Sequence, residues 1–253
     1  MDDDSEALRL DSLARLISLL ESIDGSKVTL IGDTMLDRYH HGFANNLNST
    51  APVPVLKITD SDESPGASAH IAIGLTSFGI DVSFHTAVGD DAEASSITTS
   101  LKSKDIRIDN VMRVKDRPTL TKIRFFASRE SLLDRRQILL QADRGPNEIL
   151  DESVSSSLTE SALANIPDSC ALVISDYDKG VVTKDGAQIL IKAAKSSGIP
   201  AIVDPKLTGL EKSRGATVVI FEKRGMSLLA RSCLLYTSPS PRDATLSRMP
   251  SSA

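Results

Sequence analysis

The sequence predicts an α/β fold in which a mostly parallel sheet is flanked by helices. Strand patterns alternate along the chain with helical patterns of about 10–15 residues, which is typical of βαβ units. The runs VTLIG, ALVIS and AIVD are continuously apolar, as expected of strands that are covered on both faces. An aspartate stands at or just past the end of each run: Asp33, Asp176 and Asp204. Because ligands bind outside the carboxyl ends of such strands, we expect a site there.

The first element, within residues 1–26, is predicted to be an amphipathic helix. Leu13, Ile17 and Leu20 follow a helical spacing, and Gly25 is a suitable stop. The two prolines of APVPVLKIT favour a sheet edge or a flap for that segment. The other patterns predict, in order, strand 27–33, turn and helix 65–79, strand 81–88, helix 92–104, strands 107–114, 119–128 and 136–143, helix 151–165, strand 171–177, helix 183–197, and strands 199–206 and 215–220.

Composition limits the classes of partner. The chain of 253 residues is 40% hydrophobic, has a net charge of -5 and a pI of about 5.4, and contains no basic run. These values argue against nucleic acid or an anionic membrane as the main partner. The N-terminus lacks the layout of a signal peptide, and no apolar run approaches the length of a membrane span. We therefore expect a cytoplasmic protein.

Charged residues accumulate behind the predicted strands. Lys179 follows Asp176, and Lys206 follows Asp204. Such a group suits a site for hydroxyls or for a metal ion with phosphate, whereas a single aspartate after a strand more often forms a turn or caps a helix. The first strand is followed by IGDTMLDRY and not by G-x-G-x-x-G, and the sequence has no P-loop motif. If the protein binds phosphate, it must do so through a structural motif other than these two.

Seven segments, taken in order, resemble the PfkB/ribokinase family of sugar kinases. They are GDTMLDRY, APVPV, SPGASAHIA, AVGDD, PTLTKIR, ISDYDKG and IVDPK with RGAT, and they extend from about Val28 to Val219. Each is weak evidence alone, but their shared order is specific to the superfamily. GDTMLDRY, APVPV and SDYDKG are similar to the branch that phosphorylates D-glycero-D-manno-heptose 7-phosphate at C1. The resemblance implies a ribokinase-like domain over residues 27–220, with a small β lid from about 42–60 and 107–143.

The resemblance also implies roles for particular residues. Asp33 and Asp37 would hold sugar hydroxyls, because fixed carboxylate acceptors orient a polyol. Gly66 would allow close approach of the sugar, and His70 stands where the family usually has an asparagine that contacts it. The other implied site residues are Lys122 and Arg124 for the substrate phosphate, and Asp176, Lys179, Asp204 and Lys206 near the nucleotide phosphates. The implied cofactors are ATP and Mg²⁺, and the implied partners are a sugar phosphate and a second copy bound through the lid.

The sequence departs from the family pattern in several places. Ala67 stands where a second glycine is usual, Gln141 replaces an arginine, and His40 and His41 replace residues that are commonly aromatic. We interpret the two histidines as loop residues and assign no metal ligands. Residues 129–136 resemble an insertion. Because of these differences, the resemblance identifies the family more firmly than it identifies the sugar substrate.

The end of the chain is expected to differ from that of the family. After RGATVV these kinases usually have Thr-Pro-Asn-x-x-Glu and later Gly-Ala-Gly-Asp, which holds the catalytic base, and neither motif occurs here. The resemblance therefore implies a domain truncated on its C-terminal side. GMSLL, within residues 221–232, resembles a strand that comes later in these kinases and suggests a displaced fragment. Residues 233–253 match the translation of a sequencing adapter, so we expect a non-native tail.

These observations predict the N-terminal part of an ATP-dependent sugar kinase, acting on heptose 7-phosphate in the synthesis of lipopolysaccharide precursors. Phosphoryl transfer needs cations on the moving oxygens, which lysines and Mg²⁺ supply. Without the base motif, we expect this chain to be nearly inactive. Two alternatives remain open. One is a PfkB kinase that acts on ribose, fructose or a nucleoside, and the other is a non-catalytic module that binds sugar phosphate or dimerises.

Overall fold

The computed structural model describes residues 3–128 and 137–234. The helices are α1 Asp3–Ile23, α2 Ser68–Ser77, α3 Ala92–Lys102, α4 Glu152–Asn165, α5 Lys184–Ser196 and α6 Lys223–Leu234. The strands are β1 Lys27–Gly32, β2 Thr34–Leu47, β3 Pro54–Ala67, β4 Asp81–Gly89, β5 Val111–Val114, β6 Thr121–Ser128, β7 Gln137–Arg144, β8 Ala171–Asp176, β9 Ala201–Pro205 and β10 Val218–Val219. Two short 3₁₀ helices span Ile166–Asp168 and Leu207–Ser213.

Six strands form a parallel sheet in the order β10-β9-β8-β1-β4-β5. Every neighbouring pair in it is parallel, and helices pack on both faces. This confirms the predicted α/β fold with a mostly parallel sheet flanked by helices. From β1 the chain proceeds to β4 and β5, and it later returns to β8 on the other side of β1. The strand order therefore reverses between β1 and β8, which is where open α/β sheets bind ligands.

Two apolar clusters, one on each face, hold the helices on the sheet. On one face Ile31 packs with Leu158 of α4 and Leu190 of α5. On the other face Phe84 packs with Ile97 of α3. Each of these side chains is at most 1% exposed, so burial of each contributes about 1.5–3 kcal/mol to folding. This packing fixes the strand ends on which the candidate site is built.

The other four strands form a second sheet, which we call the lid, in the order β3-β2-β6-β7. β2 and β6 are parallel neighbours at its centre, whereas β3 and β7 are antiparallel edge strands. The edge position of β3 agrees with the prolines of its sequence.

The lid boundaries differ from the expected 42–60 and 107–143. β2 begins at Thr34, directly after β1, and β3 continues to Ala67. Val111–Val114 pairs with β4 of the large sheet, so the second lid segment begins at Thr121. β2 carries mixed charged, aromatic and small residues, and its side chains beyond Leu36 are only partly buried or exposed, so its sequence lacks the continuous apolar run of a strand covered on both faces.

His40 and His41 lie within β2 and not in a loop, which corrects their interpretation from sequence. The rings stack on Phe125 and Phe126 of β6, with centroids 5.1 and 5.3 Å apart. Such aromatic pairs across neighbouring strands stabilise a sheet. The two histidines therefore help to join β2 to β6.

The two ends of the described chain also differ from expectation. α1 begins at Asp3, and Leu13 and Ile17 of its apolar stripe are about half exposed, at 46% and 56%. GMSLL lies in the helix α6, so the expected later strand is wrong.

Two predicted segments lie outside the described residues. They are the insertion at residues 129–136 and most of the expected non-native tail, residues 235–253. Within the ranges that the structure describes, no helix is both long enough and apolar enough to cross a membrane.

Candidate active site at the carboxyl ends of the strands

Two neighbouring clefts lie at the carboxyl ends of the parallel strands. The first, which we call the basic cleft, is open between the lid and the large sheet and has a volume of about 380 Å³. Its charged lining residues are Lys122, Asp143, Arg144, Lys179 and Lys206. The second, which we call the acidic cleft, has a volume of about 360 Å³, and its charged lining residues are Asp176, Asp204, Lys206 and Glu222. The opposite charge balance suits the first cleft to an anionic ligand and the second to a cation.

Tyr177 forms a wall between the clefts, since it lines both of them. The Lys122 Nζ atom lies 5.7 Å from the centroid of its ring, and the Lys206 Nζ atom lies 5.3 Å from it. Cation–π attraction is favourable at these distances. Burial, followed by the charge of Asp204, raises the pKa of the Tyr177 phenol, so the ring stays neutral. Tyr177 thus holds a lid lysine and a lysine of the large sheet near one point.

Asp33 is 1% exposed and binds the loop that follows β8. Its Oδ2 accepts hydrogen bonds from the backbone N–H groups of Tyr177 at 2.9 Å and Lys179 at 3.1 Å, and its Oδ1 accepts one from Val181 at 3.2 Å. Burial raises the pKa of Asp33, and the charge of Asp176 adds to this, while the amide bonds oppose it. Both carboxylate oxygens are therefore engaged by backbone, and neither cleft is lined by Asp33.

Asp176 ends β8 and is paired with Lys212 of the second 3₁₀ helix. The Lys212 ammonium donates to Oδ1 at 3.1 Å and lies 2.9 Å from Oδ2, and it also bonds Asp178 at 3.1 Å. Burial disfavours the charged ammonium, but the two carboxylates outweigh burial and raise the pKa of Lys212. Within the described chain Asp176 Oδ2 accepts no hydrogen bond, although it is buried. Lys212 thus compensates much of the charge of Asp176.

Asp204 and Glu222 carry the remaining negative charge of the acidic cleft. Burial, and then repulsion from Glu222, raises the pKa of Asp204, although Lys206 opposes this. Residues 3–128 and 137–234 contain no group of three or more His, Cys, Asp or Glu side chains that is arranged to hold a metal ion alone. Mg²⁺ is commonly bound through one or two carboxylates, water and substrate phosphates. These carboxylates therefore fit a Mg²⁺ ion that arrives with a nucleotide.

Asp37 and Arg124 form an ion pair within the lid. Arg124 Nη1 donates to Asp37 Oδ1 at 2.7 Å, and its guanidinium lies 5.4 Å from the Tyr39 ring centroid. A Cβ atom added at Gly66 would clash with Oδ2 of Asp37, so the absence of a side chain there leaves room for the carboxylate in its present position. None of Asp37, Gly66 and Arg124 lines the two clefts.

The turn before α2 has an unusual backbone at Ala67, with φ of 53° and ψ of -129°. A residue with a side chain costs about 1–3 kcal/mol in such a conformation. The next residue, Ser68, donates to the backbone oxygen of Asp33 at 2.7 Å and holds the turn against β1. His70 lies exposed on the first turn of α2 and lines neither cleft.

The structure brings half of the predicted site residues into the two clefts: Lys122, Asp176, Lys179, Asp204 and Lys206. It places the other half outside their lining: Asp33, Asp37, Gly66, His70 and Arg124. Sequence reasoning missed Tyr177, Arg144, Lys212 and Glu222. Tyr177 stands inside the quoted motif ISDYDKG and could have been found there, whereas the other three belong to no motif.

Comparison with known families gives a match over most of the chain. Residues 26–244 match the profile of the pfkB family carbohydrate kinases. The crystal structure of phosphofructokinase-2 from Escherichia coli in complex with fructose-6-phosphate superposes with a TM-score of 0.62 at 19% identity, covering 87% of this chain and 68% of that chain. At this identity the superposition shows a shared fold alone.

Curated relatives show a closer similarity in sequence. The bifunctional protein HldE of Actinobacillus pleuropneumoniae serotype 5b (strain L20) is 34% identical over 198 residues, which are 78% of this chain and 39% of that protein. HldE of Pseudomonas syringae pv. tomato is 35% identical over 196 residues, again 78% of this chain and 39% of the relative. The chain thus spans about two fifths of the length of these relatives.

Proposed function

The chain belongs to the pfkB family of carbohydrate kinases, and from this premise we propose that it is the kinase portion of a protein that phosphorylates D-glycero-D-manno-heptose 7-phosphate at C1 with ATP. The product would serve the synthesis of lipopolysaccharide precursors. The observation that carries this proposal is the pair of clefts of opposite charge, which share Tyr177 and Lys206 just beyond the carboxyl ends of β8 and β9.

The basic cleft supports an acceptor that already carries a phosphate. Lys122 reaches it from the lid, while Lys179 and Lys206 reach it from the large sheet. A neutral sugar such as ribose gives no reason to collect these charges, because its hydroxyls are held by uncharged or acidic acceptors. Sugar phosphate is therefore the better fit among the substrates considered.

The acidic cleft supports a nucleotide with Mg²⁺ as the phosphoryl donor. When bound, Mg²⁺ would neutralise charge on the nucleotide phosphates, and Asp204 and Glu222 are the carboxylates placed to hold it. Lys206 lines both clefts. Its ammonium can therefore contact the oxygens of the γ-phosphoryl group while that group moves from the nucleotide to the sugar. Lys206 and Tyr177 thus supply positioning and charge at the junction.

Calorimetric titration of the full chain tests the substrate. We expect D-glycero-D-manno-heptose 7-phosphate to bind more tightly than the unphosphorylated heptose. Lys122→Met should weaken its binding by about tenfold or more, because a hydrogen bond to a charged group is lost. The matched control is Lys102→Met at the exposed end of α3, which lines neither cleft and should bind as the parent does. Tighter binding of fructose 6-phosphate or ribose would instead favour another pfkB kinase.

Turnover is tested separately by ADP release. The sequence holds no Gly-Ala-Gly-Asp motif, and loss of preorganised catalytic groups typically lowers rates by orders of magnitude. We expect the chain to bind heptose 7-phosphate while releasing ADP far more slowly than a pfkB kinase that contains the motif. Turnover at a rate typical of kinases would contradict this part of the proposal.

We also propose that two copies associate through the lid. The described strands of this one sheet expose large apolar side chains at Leu47, Val55, Ile58, Ile138 and Leu140, and an exposed apolar surface larger than is usual for a monomer often marks an interface. Sedimentation velocity should show a dimer, and Ile58→Asp combined with Leu140→Asp should convert it to a monomer. The control Ile149→Asp, at a residue that is 84% exposed outside the lid, should leave the dimer intact.

A further inference from the structure

Arg144 occupies a position in the basic cleft that no motif of the sequence indicates. It is the last residue of β7 and pairs across the lid with Thr121, which directly precedes Lys122. It lines the same cleft as Lys122 and Lys206. Its side chain is 51% exposed, so much of the guanidinium faces open space. A second lid cation therefore stands beside the lysine that we assign to the substrate phosphate.

The guanidinium of Arg144 is held from outside the lid. Nη1 donates to Glu93 Oε1 at 3.0 Å, and Nη2 lies 3.8 Å from Asp91 Oδ2. Both carboxylates belong to the start of α3, on the large domain. A guanidinium carries five N–H donors in a fixed plane, so these contacts leave donors of Arg144 for an anion in the cleft.

Glu93 is a mostly buried carboxylate that holds two arginine side chains. Its side chain is 10% exposed, and its Oε1 also accepts from Arg38 Nη1 at 3.3 Å. Arg38 belongs to β2 and donates through Nε to Glu63 of β3 at 3.0 Å. One buried carboxylate thus connects two lid arginines to α3. A buried carboxylate destabilises the fold if it loses its charged partners. The two arginines are therefore expected to stay in place beside Glu93.

We propose that Arg144 binds the phosphate group of the sugar phosphate together with Lys122, and that Glu93 is a positioning residue that fixes the Arg144 guanidinium at the cleft. This inference rests on the function proposed above. It predicts that the preference for a phosphorylated sugar depends on a contact between the lid and α3. Arg144 would contribute to selection of the phosphate, and Glu93 would act through it.

The first test compares binding of heptose 7-phosphate and unphosphorylated heptose to variants of the full chain. Arg144→Gln should weaken binding of the phosphorylated sugar by about tenfold or more and leave that of the unphosphorylated sugar unchanged, because one charged contact to phosphate is lost. Arg144→Lys should restore part of the loss. The matched control is Arg113→Gln, which removes an arginine paired with Asp90 outside both clefts and should not change either affinity.

The second test separates positioning from a purely structural ion pair. Glu93→Gln should weaken heptose 7-phosphate binding by itself, but should add little in the Arg144→Gln background, because coupled residues are not additive. Equal losses in both backgrounds, or an equal loss for the unphosphorylated sugar, would overturn the positioning role. If the parent prefers heptose 7-phosphate and Arg144→Gln binds as tightly, this inference alone is wrong. If the parent shows no such preference, the proposed function is wrong as well.

Discussion

The buried histidine of β4 should make the stability of the fold depend on pH. His85 is 0% exposed, its Nε2 lies 3.0 Å from Ser83 Oγ, and its Nδ1 has no hydrogen-bond partner among the described residues. Burial, with a smaller effect of the Lys27 charge, lowers the pKa of His85 from 6.5 to about 4. The imidazole is therefore neutral in the folded chain at neutral pH.

The sign and size of the effect follow from the two pKa values. A group whose pKa is lower in the folded state contributes full stability above its unfolded pKa, and this stability is lost as the pH falls toward the folded value. For His85 the window lies between pH 6.5 and about 4. Integration over the part of this window from pH 7 to pH 5 gives a loss of about 2 kcal/mol in the free energy of unfolding.

Urea unfolding of the parent and of His85→Gln at pH 7, 6 and 5 measures this loss. Glutamine keeps a polar group near Ser83 but does not titrate, so the parent should lose about 2 kcal/mol relative to the variant between pH 7 and pH 5. Comparison of the two chains at each pH cancels the titration of carboxylates elsewhere. The exposed His70 provides the control, since His70→Gln should keep the slope of the parent. Parallel pH profiles for the parent and His85→Gln would refute the reasoning.

Two further predictions concern the backbone near β1. Ala67→Gly should raise the free energy of unfolding by about 1 kcal/mol, because glycine relieves the strain at φ of 53° and this gain exceeds its entropic cost. Urea titration at pH 7 checks this, and a less stable variant would contradict it. Asp33→Asn should lower the free energy of unfolding by about 2–4 kcal/mol, because three buried amide donors would share one neutral acceptor. It should also weaken heptose 7-phosphate binding, and full stability of the Asp33→Asn variant would show that the bonds are unimportant.

The large sheet could be predicted from sequence because its strands are covered on both faces. Such strands are continuously apolar, and the aspartates at their ends mark where the chain leaves the sheet. Asp176 and Asp204 were placed correctly at the strand ends by this pattern alone. The lid strands are exposed over much of their length, and β2 mixes charged, aromatic and small residues without a clear period. Its identity as a strand depends on the pairing with β3 and β6.

Much of the site could not be predicted, because its contacts join distant segments. Lys212 lies in a short 3₁₀ helix and meets Asp176 through tertiary packing, 36 positions along the chain. Arg144 is bonded to Glu93 across 51 positions. The family resemblance assigns Arg124, together with Lys122, to the substrate phosphate. In the structure the Arg124 guanidinium is paired with Asp37, and no sequence spacing reveals that Asp37 lies next to Gly66.

Asp33 shapes the site through the backbone of a neighbouring loop, and it also lines a small third cavity together with Arg117 and Lys179. The family resemblance assigns it to sugar hydroxyls, but its carboxylate accepts the backbone N–H groups of Tyr177, Lys179 and Val181. Tyr177 is the wall between the clefts, and Lys179 lines the basic one. The motifs GDTMLDRY and ISDYDKG are therefore linked by direct hydrogen bonds. The first contains Asp33, and its carboxylate fixes the conformation of the loop that contains the second. The residue at this position is therefore constrained by folding itself, because loss of the buried charge would leave three amide donors without a charged acceptor.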